Sequence, residues 1–209
     1  MTLLTPALIT ELTTLYTSPT RVYHSLSHIT ALLTLLSTHQ SAFTDPSAVE
    51  AAIWFHDAIY DTHAPPRQNE TASAALAVAR LAPTGVAPDR LDRIRAMIVA
   101  TATHVVPAAE ALGGAEGAVV DAALFLDMDL GVLAVDKAEF DVYEAGVREE
   151  YAWVGEEGWR RGRGEVLRGF LGRDWIFHSD LFRGLWEERA RANLRRSLAR
   201  LEGSEGVGL

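Results

Sequence analysis

The sequence predicts an all-α protein, and three observations support this. Apolar residues recur at helical spacing through most of the 209 residues. Strand-like alternation of β-branched residues is almost absent. Pro residues stand at several points where one periodic segment gives way to the next. The length suits one large domain better than two, so we expect a single domain over residues 1–201 and a frayed tail over residues 202–209.

The helices are predicted in order along the chain. Leu8, Leu12 and Leu15 share one face of a first helix, which Ser18-Pro19 ends. Asp45-Pro46 is a typical N-cap and first-turn pair. Residues 62–66 and the Gly-rich residues 109–117 are predicted loops. The predicted helices cover residues 5–16, 20–38, 46–60, 67–81, 88–104, 119–135, 137–151, 156–171 and 179–201.

The composition limits the classes of function. A net charge of −9, from 28 acidic and 19 basic residues, disfavours binding to duplex nucleic acid, which requires a basic face. No apolar run approaches the length of a membrane span. Cysteine is absent, which excludes disulfides and thiolate metal ligands and suits a reducing compartment. The N-terminus lacks the basic region of a secretory signal, so we expect a cytoplasmic protein.

Ionisable residues of metal-ligand type interrupt three apolar segments. Buried ionisable groups are costly unless each has a partner or a metal. One divalent cation shared between the three segments would explain all of them together. Imidazole and carboxylate ligands suit Mn, Mg, Fe, Ni, Co or Zn, and the pattern does not choose among these metals. The residues concerned are His24 and His28, His56 and Asp57, and Asp127 and Asp129.

The same residues resemble the H…HD…D signature of the HD superfamily of metal-dependent phosphohydrolases. The resemblance is closer still to a group of small proteins described as predicted HD-superfamily phosphohydrolases, and it extends over nearly the whole chain. It implies a single HD-type bundle of about eight or nine helices, with a divalent ion at the helix junction. The blocks that carry it are Arg21-x-Tyr23-His24-x-x-x-His28-Ile29, Trp54-Phe55-His56-Asp57-Ala58-Ile59-Tyr60-Asp61, Asn69-Glu70-x-x-Ser73-Ala74, Ala100-Thr101-x-x-His104, Phe125-Leu126-Asp127-x-Asp129-Leu130, Val147-Arg148-x-Glu150-Tyr151 and Ala190-Arg191-x-Asn193-Leu194.

The resemblance implies that His28, His56 and Asp57 are metal ligands. The fourth ligand is Asp129 or, as the alternative, Asp127. Related proteins carry this ligand in an Ala-Asp-x-Leu-like context, which favours Asp129 in Met128-Asp129-Leu130. The other carboxylate would then support the ligands from behind.

Two carboxylates are candidates for proton transfer during catalysis. Asp61 follows Asp57 by one predicted helical turn and would share its face. The guanosine tetraphosphate hydrolases of the superfamily are similar in placing a carboxylate there. Glu70 is the second candidate, with a surface ion pair as the alternative role.

Cationic and imidazole side chains are candidates for binding the substrate phosphate. Arg21 is predicted to open the helix of His24 and to reach the mouth of the site. Arg148 would bind phosphate or bridge to a neighbouring glutamate. His104 would bind phosphate or a second metal, or cap a helix C-terminus.

The resemblance implies hydrolysis of a phosphate ester or anhydride in a small phosphorylated metabolite, such as a nucleotide. A homo-oligomer is compatible with this function. Two other functions remain open. One is an HD-fold di-iron oxygenase, for which His63 and His104 would be the additional ligands. The other is a non-catalytic binding domain stabilised by its metal.

Overall fold

All regular structure in the computed structural model, which describes residues 2–203, is helical. These residues form nine α-helices and four short 3₁₀ segments and contain no strand, which confirms the all-α prediction. None of these helices is both long and apolar enough to cross a membrane. The helices are α1 (Pro6–Tyr16), α2 (Leu26–Thr38), α3 (Pro46–Phe55), α4 (Gln68–Leu81), α5 (Pro88–Ala100), α6 (Glu116–Asp129), α7 (Lys137–Glu150), α8 (Glu156–Leu171) and α9 (Asp180–Gly203).

The helices group into two compact units, which we call unit 1 and unit 2. Unit 1 ends at Asp129 and contains α1 to α6, and unit 2 begins at Leu130 and contains α7 to α9. All of the predicted metal ligands lie in unit 1. A single domain over residues 1–201 stays a prediction. Of the predicted frayed tail, residues 202–203 belong to α9, and the rest lies outside the described residues.

The central helix of unit 1 is α3, which is buried over almost its whole length. Asp45 caps its first turn by accepting a hydrogen bond from the amide of Ala48, and Pro46 follows with a backbone angle already suited to a helix. Alanine at positions 48, 51 and 52 allows close approach, and α3 packs against α2, α4, α5 and α6. The helix that carries His56 at its end is therefore held on several sides.

Several helices are shorter than the sequence predicts. Helix α3 ends at Phe55 instead of residue 60, α5 ends at Ala100 instead of residue 104, and α2 begins at Leu26 instead of residue 20. After Phe55, side chains satisfy the main chain: Arg21 donates to the carbonyls of Asp57 and Ala58, and Ser73 hydrogen-bonds both main-chain groups of Ile59. These contacts replace the helical hydrogen bonds that residues 57–60 would otherwise make.

In unit 2, a buried carboxylate on α9 fixes the segment that precedes this helix. Glu187 accepts hydrogen bonds from the amides of Ile176 and Phe177, at 3.0 and 3.2 Å. The guanidinium of Arg191, one turn later, lies 2.7 Å from the same carboxylate. A buried charge thus has both an ionic partner and main-chain donors, which is the arrangement that makes such burial tolerable.

Replacing Glu187 with Ala should lower the free energy of unfolding by about 3 kcal/mol, because two buried amides and one guanidinium lose their acceptor. Urea denaturation followed by circular dichroism measures this loss. Glu188→Ala, on the exposed side of the same helix, is the matched control and should stay within about 0.5 kcal/mol of the wild type. Equal effects of the two substitutions would contradict the structural role of Glu187.

Candidate metal centre

Three side chains from distant parts of the chain converge in unit 1: one from α2, one from the residue that follows α3 and one from the end of α6. The Nε2 atoms of His28 and His56 lie 3.2 Å apart, and Oδ1 of Asp129 lies 3.1 Å from the first and 3.4 Å from the second. One possible ligand atom from each residue lies within 4.8 Å of the other two, so the group could hold a metal ion. His56 is only 1 % exposed, so an ion held here would be largely shielded from solvent.

The fourth predicted ligand, Asp57, lies beside this group. Its Oδ2 is 3.1 Å from Nε2 of His56, and its side chain is 16 % exposed. The convergent group of three does not itself include Asp57. Asp57 therefore lies next to His56, adjacent to the group.

The structure distinguishes between the two candidate carboxylates on α6. Asp129 is the last residue of this helix and belongs to the convergent group, whereas Asp127 does not. Side chains two positions apart on a helix point in directions that differ by about 200°, so those of Asp127 and Asp129 cannot both face the same ion. Asp127 is fully buried. The geometry supports Asp129 as the ligand, as its Met-Asp-Leu context favours.

Each convergent side chain also has a partner that orients it. Nδ1 of His56 donates a hydrogen bond to the carbonyl of Ile53 at 2.8 Å, which leaves Nε2 facing the group. Nδ1 of His28 lies 3.3 Å from the Tyr23 hydroxyl. Nε2 of His104 lies 2.9 Å from the outer oxygen, Oδ2, of Asp129. Such partners behind the ligands are typical of protein metal sites.

The electrostatics of the group require a positive charge. Burial alone would lower the pKa of His56, but the carboxylates of Asp57 and Asp129 raise it well above its usual value. Burial would raise the pKa of Asp129 and of Asp57, yet the neighbouring imidazoles, above all His56, hold both below the usual range. Both carboxylates are therefore ionised at neutral pH, and either a proton on His56 or a metal ion supplies the opposing charge.

The ends of three helices also favour a cation at this place. His56 directly follows α3, Asp129 ends α6, and His104 follows α5 by four residues. These three helices pack against one another in pairs. The carbonyl groups at a helix C-terminus carry a partial negative charge, which stabilises cations nearby. The position of the group within the fold therefore suits the charge that its side chains require.

The structure gives Arg21 a different position from the one predicted. It precedes α2 instead of opening it, and its guanidinium donates to the carbonyls of His24, Asp57 and Ala58, at 3.1, 2.6 and 2.8 Å. The guanidinium of Arg21, which was expected at the mouth of the site, thus already donates to three main-chain carbonyls. These contacts support a positioning role, in which Arg21 holds the Asp57 segment against the segment before α2.

His24 lies close to the centre without belonging to the convergent group. Its ring stacks on Tyr60 with the centroids 4.3 Å apart, and its centroid lies 6.4 Å from that of His28. The predicted helix over residues 20–38 included His24, but α2 begins at Leu26, so His24 lies before it. A substrate contact of His24 stays a prediction.

The two predicted catalytic carboxylates differ in their surroundings. Asp61 lies beyond the end of α3, so the argument that it shares a helical face with Asp57 is wrong. Its side chain is 64 % exposed and accepts a hydrogen bond from the amide of His63. Glu70 has a buried oxygen, Oε2, without a hydrogen-bond partner among the described residues. Catalytic roles for both stay predictions, and the geometry favours Glu70.

Glu70 lies in the first turn of α4, whose residues Asn69 and Ser73 contact the segment that follows the metal ligands. It is half-buried and lies one turn before the buried Ser73, which hydrogen-bonds the main chain of Ile59, two residues after Asp57. On the same turn, Asn69 exchanges two hydrogen bonds with the main chain of Asp61. The start of α4 is therefore fastened along the segment that follows the metal ligands.

Two further predicted substrate-binding residues have defined contacts. His104 has a left-handed backbone, with φ of 47°, and contacts Asp129 as described. Arg148 lies in unit 2, where its guanidinium donates to the carbonyls of Tyr151 and Val154 and lies over the ring of Trp159. Its interaction closes the turn after α7, and substrate binding by Arg148 stays a prediction.

The orienting roles of Tyr23 and Ser73 were not predicted from the sequence. Both residues stand inside blocks of the resemblance, and this position was the only indication of a role. Their partners are a histidine five residues away and a main-chain segment fourteen residues away, and such pairs depend on the tertiary fold.

Comparisons with known protein families, curated proteins and solved structures found no match to this chain.

Replacing Asp129 with Asn should weaken the binding of Zn²⁺ or Mn²⁺ by at least about 100-fold, because one anionic ligand is lost at the point where two imidazoles meet. Asp127→Asn, on the same helix but outside the convergent group, should weaken binding less than Asp129→Asn does. Isothermal titration of chelator-treated protein measures both affinities. A larger loss for Asp127→Asn would assign the ligand to that residue.

Metal-free protein should become less stable as the pH rises from about 6.5, and metal should restore that stability. A raised pKa means that protonated His56 stabilises the fold fully below its unfolded value of about 6.5, and this contribution is lost as the pH passes the folded value. Metal competes with that proton, so its affinity should increase with pH. Melting temperatures at about pH 6 and about pH 8.5, with chelator or with Zn²⁺, test both statements. A metal-induced rise in melting temperature that is larger at the lower pH would contradict them.

Proposed function

We propose that this protein is a divalent-metal-dependent phosphohydrolase with an HD-type helical fold. Its substrate would be a phosphate ester or anhydride in a small phosphorylated metabolite, such as a nucleotide. The convergence of His28, His56 and Asp129, with Asp57 beside them, is the observation that carries this proposal. These residues follow the H…HD…D order of the resemblance, and they come from helices far apart in the sequence.

The donor set fits a divalent ion. Two imidazoles and two ionised carboxylates provide nitrogen and oxygen donors, and His28, His56, Asp57 and Asp129 would hold the ion. A divalent ion bound there would polarise a phosphoryl oxygen and lower the pKa of a water molecule, which is the chemistry that phosphate hydrolysis needs. His56 presents Nε2 to the ion because its Nδ1 proton is held by the carbonyl of Ile53.

Glu70 is the residue that we propose for proton transfer. A carboxylate that moves a proton must have a lone pair that the protein does not occupy, and Oε2 of Glu70 is buried without a hydrogen-bond partner in the described chain. It lies on α4 one turn before Ser73, and Ser73 contacts the segment that follows Asp57. Asp61 suits this role less well, because it is exposed and its Oδ1 accepts a hydrogen bond from His63.

One contact favours a second candidate function, the di-iron oxygenase. His104 reaches Asp129, so one of the two additional histidines that this chemistry needs lies at the centre. The other candidate, His63, is 64 % exposed and pairs with Asp61. We therefore favour a single metal. The third function, a non-catalytic metal-stabilised domain, would also be compatible with an exposed Asp61.

A panel of phosphorylated metabolites, with released phosphate as the readout, tests the proposed activity on metal-loaded protein. His56→Ala should lose bound metal and all phosphate release. His63→Ala is the matched control and should keep both, because its exposed ring lies outside the convergent group. About one metal per chain is expected, whereas two irons, one of them lost in His63→Ala, would establish the oxygenase alternative. Phosphate release that persists in His56→Ala would exclude this centre as the active site.

Replacing Glu70 with Gln should reduce kcat by roughly 10²- to 10⁴-fold, the range typical of a general acid or base, with metal content unchanged. Asp61→Asn should have a much smaller effect, because its side chain faces solvent. Steady-state kinetics and metal analysis on the same preparations separate the two roles. Loss of metal in Glu70→Gln would make Glu70 a ligand instead of a proton-transfer group.

A further inference from the structure

The C-terminal end of α1 reaches the point at which α3 ends. Tyr16, the last residue of α1, is only 1 % exposed, and its hydroxyl donates a hydrogen bond to the carbonyl of Trp54 at 3.0 Å. Trp54 lies in the last turn of α3, two residues before His56. The carbonyl groups of a last helical turn have no partner inside the helix, so side chains or water must satisfy them. Tyr16 does this for Trp54.

This hydrogen bond occupies the carbonyl that a longer α3 would use. If the helix continued, the carbonyl of Trp54 would accept a hydrogen bond from the amide of Ala58, four residues later. The amide of Ala58 donates instead to the carbonyl of Phe55 at 3.0 Å, which is the tighter spacing of a 3₁₀ turn. The hydroxyl of Tyr16 therefore takes the place of a helical donor where the chain turns into the metal-ligand segment.

The hydroxyl of Tyr16 also lies next to Asp57. Burial raises the pKa of Tyr16 well above its usual value, and the nearby carboxylate of Asp57 raises it further, although the charge of Arg21 and a hydrogen bond from the Asp57 amide oppose this change. The hydroxyl therefore keeps its proton at neutral pH and remains a donor. In a longer helix the Asp57 amide would donate to the carbonyl of Ile53, but that carbonyl accepts a hydrogen bond from Nδ1 of His56.

The ring of Tyr16 acts on the same segment through Arg21. The guanidinium carbon of Arg21 lies 4.9 Å from the centroid of the Tyr16 ring and 5.4 Å from that of the Tyr60 ring. A guanidinium is attracted to the face of an aromatic ring within about 6 Å of its centroid. Because Arg21 donates to the carbonyls of Asp57 and Ala58, Tyr16 affects the chain at Asp57 both directly and through this arginine.

We infer that Tyr16 is a positioning residue for the metal ligand Asp57. It fixes the place at which α3 ends, and thereby the direction in which the carboxylate of Asp57 leaves the main chain. His56 is oriented by its own hydrogen bond to the carbonyl of Ile53 and does not depend on this hydroxyl. The role of Tyr16 rests on the proposed metal-dependent function, because it is a role toward the ion that the convergent group would hold.

The binding of Co²⁺ to the full-length, chelator-treated protein tests this role, with the affinity and the visible absorption spectrum as readouts. Tyr16→Phe should weaken Co²⁺ binding by about tenfold, the lower end of the loss expected when a partner behind a metal ligand is removed. Its absorption bands should change in the same direction as those of Asp57→Asn, because both substitutions remove the Asp57 carboxylate from its place at the ion. Tyr143→Phe is the matched control: it removes a hydroxyl that accepts a hydrogen bond from Arg163 in unit 2, and it should keep the affinity and spectrum of the wild type.

A double-mutant cycle separates positioning from a general effect on the fold. In Asp57→Asn protein, which has already lost the carboxylate, Tyr16→Phe should weaken Co²⁺ binding further by less than about twofold. In Asp129→Asn protein, which keeps the Asp57 carboxylate, the same substitution should still cause the loss of about tenfold. Losses of equal size in the two backgrounds would mean that the hydroxyl stabilises the fold without directing Asp57.

Phenylalanine fills the volume of the tyrosine ring, so Tyr16→Phe should keep the circular dichroism of the wild type. Wild-type Co²⁺ affinity in Tyr16→Phe, equal losses in the two backgrounds, or loss of the folded state in this variant but not in Tyr143→Phe would each overturn the positioning role and leave the proposed function standing. Absence of Co²⁺ binding in the wild type would instead remove the metal centre, and with it both the proposed function and the role of Tyr16.

Discussion

The burial of two carboxylates beside two imidazoles is the constraint on which unit 1 depends. Asp57 and Asp129 remain ionised because the imidazoles, chiefly His56, lower the pKa of each carboxylate, and these charges cannot be buried without a cation between them. The almost complete burial of α3 places His56 at the centre of this arrangement. A proton can balance the charge in part, but a divalent ion would balance it fully and would use the Nε2 lone pair that the Ile53 carbonyl leaves available.

The direction of three helices in unit 1 also favours a cation at the convergent group. The C-terminal ends of α3, α5 and α6 lie close to the convergent group, where their partial negative charge favours a cation. Arg21 and Ser73 then hold the chain that leaves α3, so that Asp57 keeps its place after the regular helix has ended.

The sequence was sufficient to predict the helical class and the residues that converge. Histidines and aspartates are uncommon in apolar segments, and three of these residues, His28, His56 and Asp129, lie together in a group that could hold a metal ion. The ends of the helices were harder to predict, because they depend on contacts between distant residues. Arg21 donates to carbonyls that lie 36 and 37 residues away, and local patterns carry no trace of that contact. The error for Asp61 follows directly, since its predicted position required α3 to continue past Phe55. For Glu70, the packing of α4 shows a buried oxygen that has no hydrogen-bond partner within residues 2–203, and the sequence pattern could not predict this.

The backbone of His104 has a consequence for how this protein can change. A non-glycine residue with positive φ costs about 1 kcal/mol or more, and glycine would adopt that conformation without strain. Histidine at this place therefore makes the fold less stable than it needs to be, and its contact with Asp129 is the visible compensation. Selection for thermal robustness alone would favour glycine here, whereas selection for the centre would retain the imidazole. At position 104, glycine would give the more stable backbone, whereas histidine provides the contact with Asp129.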